Sequence, residues 1–138
     1  MTTNTTSMPR AWIYARVPGN YDETNACFKA CWERALADGC NVSGGAMEYT
    51  NTWATRRSYQ DMIRHIRDGK VDRVYICRMR QLSGNERTLF SFFKCAMQYG
   101  IKVCTLDYRL PDRLARYRLG RMVESYAAKN DLPLPWDA

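Results

Sequence analysis

Apolar positions along the chain switch repeatedly between a two-residue and a 3.6-residue period. Trp12 to Val17 (WIYARV) reads as a strand, and Asp22 to Asp38 as a helix with Cys27, Ala30, Cys31 and Ala35 on one face and Gly39 placed to end it. A short strand is expected at Ala46 to Tyr49, then a polar loop from Asn51 to Arg57. Ser58 opens the next helix, with Asp61 three residues on as a variant capping box and Tyr59, Met62, Ile63 and Ile66 as the buried stripe; Gly69 closes it. Arg73 to Cys77 is a strand, Asn85 caps a helix striped by Leu89, Phe92, Phe93, Ala96 and Met97, and Ile101 to Leu106 is the last strand after Gly100. Pro111 suits the first turn of one final helix running to about Lys129, with Leu119, Met122, Val123, Tyr126 and Ala127 as its apolar face. Strands alternating with helices predict an α/β domain with a mostly parallel sheet, whose functional loops follow the strand ends at Arg16 to Tyr21, Thr50 to Arg57 and Arg78 to Glu86.

At 138 residues the chain suits one domain, taken here as 11–130, flanked by a disordered polar lead (1–10) and a tail (131–138). The lead is too polar for a signal peptide and no run is long enough to span a membrane, so a cytoplasmic location is expected. Lys and Arg number 21 against 14 Asp and Glu, a formal charge of +7. That excess suits a polyanion such as DNA, and equally a basic protein without one. Six cysteines lack C-x-x-C spacing and are read as small core residues in a reducing compartment; no metal or cofactor is expected. The one histidine, His65, is read as an exposed helix position.

Five segments resemble, in order, the catalytic domain of the serine recombinases, the resolvase and invertase family. Tyr14-Ala15-Arg16-Val17 matches the opening Y-x-R-V, and Asp22 to Gly39 matches the first helix. Arg56 to Asp72 matches R-P-x-[LF]-x-x-[LM]-[LI]-x-x-[IV]-x-x-G-x-[IV]-D, apart from Arg57 in the proline position. Leu82-Ser83 stands where the family has D-R-L-S-R, and Gly100 to Leu106 matches a strand of the pattern G-[VI]-x-[VL]. The resemblance implies a three-layer resolvase-like fold with a C-terminal helix.

The departures fall on the chemistry. The family's nucleophile is the serine after Y-x-R-V, and here that position is Pro18, which has no oxygen with which to form a phosphoester. The arginine box reads Arg80-Gln81-Leu82-Ser83-Gly84: its aspartate is Arg80, and its two arginines are Gln81 and Gly84. Forked guanidinium groups stabilise charge building on phosphate oxygens, and Gln81 and Gly84 supply none. Arg16 and Arg56 remain as an anion site or as relics. Ser83, Tyr14 and Tyr21 have no adjacent base to activate them. The expectation is a pseudoenzyme.

In the family the last helix forms the dimer interface and lies along DNA before a separate DNA-binding domain, which is not expected here. Arg109, Arg113, Arg116 and Arg121 on or beside that helix are candidates for non-specific phosphate contacts with Arg16, Arg56 and Arg80, the first three sharing a face; a solvated basic face is the other reading. Leu119, Met122, Val123 and Tyr126 either cover the core or form a partner face for a homodimer or a heterodimer with an active recombinase. The function expected is an inactive, DNA-associated accessory or regulatory factor in recombination; the alternative is a protein-interaction module with no DNA role.

Overall fold

A computed structural model describes residues 8–49 and 56–137. Residues 1–7 of the lead, 50–55 of the polar loop and Ala138 lie outside the described residues. The elements run β1 (Arg10–Arg16), α1 (Tyr21–Ala37), β2 (Asn41–Glu48), α2 (Arg57–Arg67), β3 (Arg73–Ile76), α3 (Glu86–Gln98), β4 (Lys102–Thr105), α4 (Leu110–Leu114) and α5 (Arg118–Asn130). The four strands pair in the order β2-β1-β3-β4, all parallel.

Alternation along β1 divides the core. Ala11, Ile13 and Ala15 face α1, where Cys27, Cys31 and Ala35 pack with Tyr75 and Cys77. Trp12 and Tyr14 face the larger cluster built from α2, α3 and α5, with Ile66, Phe92, Phe93 and Val123 at its centre. Helix, sheet and helices make three layers, as the parallel pattern requires. The cysteines serve as small packing groups; the thiols of Cys31 and Cys77 lie 3.8 Å apart between α1 and β3. No helix among the described residues is long and apolar enough to cross a membrane.

Several local expectations are corrected. β1 starts at Arg10, whose side chain and backbone N–H both bind the Asp72 carboxylate, so Arg10 belongs to the sheet and not to the lead. β2 begins at Asn41, five residues ahead of the expected strand. Its two glycines mask it in the sequence, yet packing demands them: a Cβ on Gly44 would sit 2.6 Å from the Trp12 ring, and one on Gly45 2.6 Å from the Ile13 carbonyl oxygen. Ser58 lies inside α2 and no side chain caps that helix; Asp61 pairs instead with Arg64. His65 is half-buried, its ring 4.5 Å from that of Trp12, rather than exposed.

The single final helix is also corrected. It breaks after Leu114 and restarts at Arg118. Gly120 makes the break possible, because a Cβ there would run into the Leu114 carbonyl, which accepts from the Tyr117 N–H. The tail is part of the fold: the Pro135 carbonyl accepts from the Val103 N–H on the free edge of β4 (2.7 Å), and Trp136 is buried edge-on to Phe93.

Candidate functional site

The carboxyl ends of β1 and β2 and the loop after β3 converge on a cleft of about 620 Å³ whose lining includes Arg16, Pro18, Arg56, Arg78, Arg80, Gln81 and Gly84. All three loops singled out in the sequence contribute a residue to it. Arg16 and Arg56 are brought together, and both are almost fully buried.

What holds them is a carboxylate that the sequence reading missed. Arg16 and Glu48 are register partners at the ends of β1 and β2. Glu48 Oε1 lies 3.7 Å from Arg16 Nε and 3.5 Å from Arg56 Nε. The Tyr14 hydroxyl donates to the same oxygen (2.9 Å) and accepts from Arg56 Nη2 (2.7 Å). Burial holds the Tyr14 phenol well above its ordinary pKa, so it stays protonated as that donor. Arg16 Nη1 also donates to the Gln81 carbonyl (2.9 Å), tying the sheet to the loop after β3. The cleft lining sets Arg16, Arg56, Arg78 and Arg80 against one acid, Glu23, with Glu48 paired to the first two arginines.

Pro18 stands at the cleft wall in a locked turn. The Asn20 N–H donates to the Val17 carbonyl (3.0 Å), and Gly19 takes the left-handed conformation (φ 76°). With proline at its second position and glycine at its third, Val17 to Asn20 has the pattern of a type II turn. Asn20 Oδ1 accepts from the Glu23 N–H to cap α1, and the Thr24 hydroxyl bonds both the N–H and the carbonyl of Val17. Proline fixes its own φ and so stiffens the turn that leads into α1. The Pro18-Gly19 pair was a readable turn signal.

In the loop after β3, Gln81 is buried, and its Nε2 donates to the Cys27 thiol sulfur at 3.3 Å. Ser83 is buried too, its oxygen accepting from the Asn85 N–H. Asn85 caps α3 as predicted, accepting from the N–H groups of Arg87 and Thr88. Gly84 is exposed at the rim, with open space where a side chain would project. Arg78 is paired with Asp107. Arg80 is exposed and has no hydrogen bond or ion pair among the described residues.

The basic candidates farther along do not form one helix face. Arg109 precedes α4 and pairs with Asp112, Arg113 lies in α4 over the Tyr108 ring, and Arg116 falls in the break before α5. Arg121 is on α5, beside a shallow groove with Met122, Tyr126 and Phe90. The partner-face expectation is corrected for Leu119 and Val123, which are buried in the chain's own core, because the break turns α5 back onto α3. Met122 and Tyr126 remain half-exposed.

The parallel α/β sheet gathers the buried Arg16 and Arg56 at its carboxyl edge, where ligand sites of such sheets commonly lie. The chain belongs to the resolvase family: the family described as Resolvase, N terminal domain, matches residues 11–129. Among solved structures it is similar to the C-terminal catalytic domain of ISC1926 TnpA, an IS607-like serine recombinase (18% identity, TM-score 0.64, 88% of this chain and 85% of that one). The N-terminal catalytic domain of TP901-1 integrase is similar at 18% identity and TM-score 0.62, covering 88% and 93%. A resolvase family site-specific recombinase from Streptococcus pneumoniae follows at 17% identity and TM-score 0.61, covering 89% and 87%. At such identities the likeness concerns the fold. No curated protein matches the sequence.

Proposed function

We propose that this resolvase-type domain associates with DNA through phosphate contacts and does not cleave it, acting as an accessory or regulatory factor in recombination. The observation that carries the reading is the pairing of a retained cationic cleft floor, Arg16 and Arg56 around Glu48, with Pro18 locked in a turn at the nucleophile position. Strand cleavage by a covalent route needs an oxygen that attacks phosphorus and a base that takes its proton. Pro18 offers no such oxygen. The Ser83 hydroxyl is buried in a loop-stabilising hydrogen bond, and Tyr14 is held protonated between Glu48 and Arg56.

Phosphate binding makes fewer demands. Arg80 at the rim and Arg113, Arg116 and Arg121 beyond it are exposed cations able to meet a DNA backbone. Such contacts release counterions, so affinity must fall steeply with salt. The test is binding to labelled duplex DNA across a salt series: a log–log slope of several units supports the reading, and no binding at low salt overturns it. A second reading, a protein-interaction module, draws on the groove between α3 and α5, where half-exposed Met122 and Tyr126 meet Phe90. Dimerisation there with a copy of the chain or with an active recombinase must bring a partner that tolerates Arg118, Arg121 and Lys129 around the same groove.

A further inference from the structure

Next to the phosphate cleft lies a second groove of about 440 Å³, within the range of roughly 300–1,000 Å³ usual for small-molecule sites. The two share Arg80, Ser83 and Gly84 as a common wall. The second groove differs in character. Leu89 and Leu119 contribute apolar lining, Tyr108 and Tyr117 line it as aromatic groups, and Arg80 and Arg113 bring cations.

Its charges are not neutralised from within. Arg113 stacks over the Tyr108 ring at 5.1 Å and the Tyr117 ring at 6.0 Å, and neither it nor Arg80 makes an ion pair among the described residues. The one acid at the groove, Glu86, is already paired with Arg118. Tyr117 is 50% exposed, a large aromatic surface left to solvent at the helix break. The Tyr108 hydroxyl is fixed by accepting from the Met79 N–H (2.8 Å), which holds its ring against the loop after β3.

Flat aromatic surface, planar guanidinium and apolar lining, set against a phosphate site, match the chemistry of a nucleotide. We infer that this groove receives an unpaired nucleotide, its base stacked at Tyr117 and Arg113 and its phosphate held by Arg80 at the shared wall. The ligand comes either from a single strand, or a locally opened duplex, or as a free nucleotide. The inference rests on the reading of the neighbouring cleft as a phosphate site and adds to it a preference for DNA with exposed bases.

The test compares three labelled probes by fluorescence anisotropy: a short oligothymidylate, an abasic oligodeoxyribonucleotide with the same number of phosphates, and a duplex. The oligothymidylate is expected to bind about fivefold or more tighter than the abasic strand, the least that stacking of one base on an aromatic side chain supplies. Tyr117→Leu keeps apolar bulk and the backbone of the break, and is expected to erase that ratio while leaving duplex binding unchanged; Tyr117→Trp is expected to preserve it. Competition by deoxyadenosine monophosphate identifies a site that also accepts free nucleotides, and its absence restricts the site to strands. Equal binding of the abasic and base-bearing strands overturns the inference, as does a ratio that survives Tyr117→Leu. Duplex binding without base dependence defeats the groove and leaves the DNA reading standing. Base-dependent binding without duplex binding does the reverse, and binding of none of the probes defeats both.

Discussion

Glu48 is the residue on which the cleft turns, and replacing it separates stability from binding. Its carboxylate is buried between Arg16 and Arg56 with side-chain exposures of 9%, 7% and 4% for Arg16, Glu48 and Arg56. At an effective dielectric constant of about 20, separations of 3.5 and 3.7 Å correspond to gross attractions of about 4–5 kcal/mol each. The desolvation of three charges offsets most of this, so the informative quantity is the cost of removing one member, about 3–5 kcal/mol for a buried pair. Glu48→Gln keeps the volume and an acceptor for the Tyr14 hydroxyl while deleting the charge. We predict a loss of about 3–5 kcal/mol in urea unfolding followed by circular dichroism, with an unchanged m-value, which is roughly a fifth or more of the stability of an ordinary domain. The variant that remains folded carries one more positive charge on the cleft floor, so its affinity for duplex DNA is expected to rise as its stability falls. A loss below about 1 kcal/mol, the range of exposed pairs, would refute the claim that the triad is desolvated.

Four further outcomes are expected. Arg10 holds the Asp72 carboxyl below its ordinary pKa, chiefly through its side-chain hydrogen bonds. The stabilisation is therefore complete above the ordinary aspartate pKa and fades as the pH falls through the depressed folded value, so the gap between wild type and Asp72→Asn should close in acid; a pH-independent gap would contradict this. Gly120→Ala drives a Cβ into the Leu114 carbonyl and is expected to cost about 1–3 kcal/mol in the same unfolding assay, whereas an unchanged midpoint would show that the break between α4 and α5 relaxes freely. Gly84→Arg meets open space, should fold normally, and should steepen the salt dependence of duplex binding by about one unit. Pro18→Ser alone is expected to give no protein–DNA adduct, because Gln81 and Gly84 still lack guanidinium groups; an adduct in that variant would show that Arg16, Arg56 and Arg80 suffice.

The parallel fold was legible because β1, β3 and β4 are short apolar runs and α2 and α3 carry clear 3.6-residue stripes. What escaped detection was set by tertiary contact. β2 looks weak because Gly44 and Gly45 have low strand propensity, yet the Trp12 ring and Ile13 backbone need the space that side chains would fill. The last helix read as continuous because Leu119 to Ala127 keeps its period, whereas the break depends on one missing Cβ at Gly120. At the site, Arg16 and Arg56 could be matched to a motif, but Glu48 could be found only through register: a lone acid at the end of a strand that pairs with an arginine-ending strand. Tyr108 and Tyr117 lie in a turn and a helix break, where no periodicity marks a shared groove.

The most direct test of the central claim combines occupancy and chemistry in one sample. The wild-type protein is mixed with labelled duplex DNA at low salt, and half of each mixture is resolved natively and half after denaturation. The account predicts a salt-sensitive shift in the native half, with neither a covalent adduct nor strand breaks in the denatured half. An adduct or a break formed by the wild-type chain would contradict it, as would the absence of any native complex at low salt.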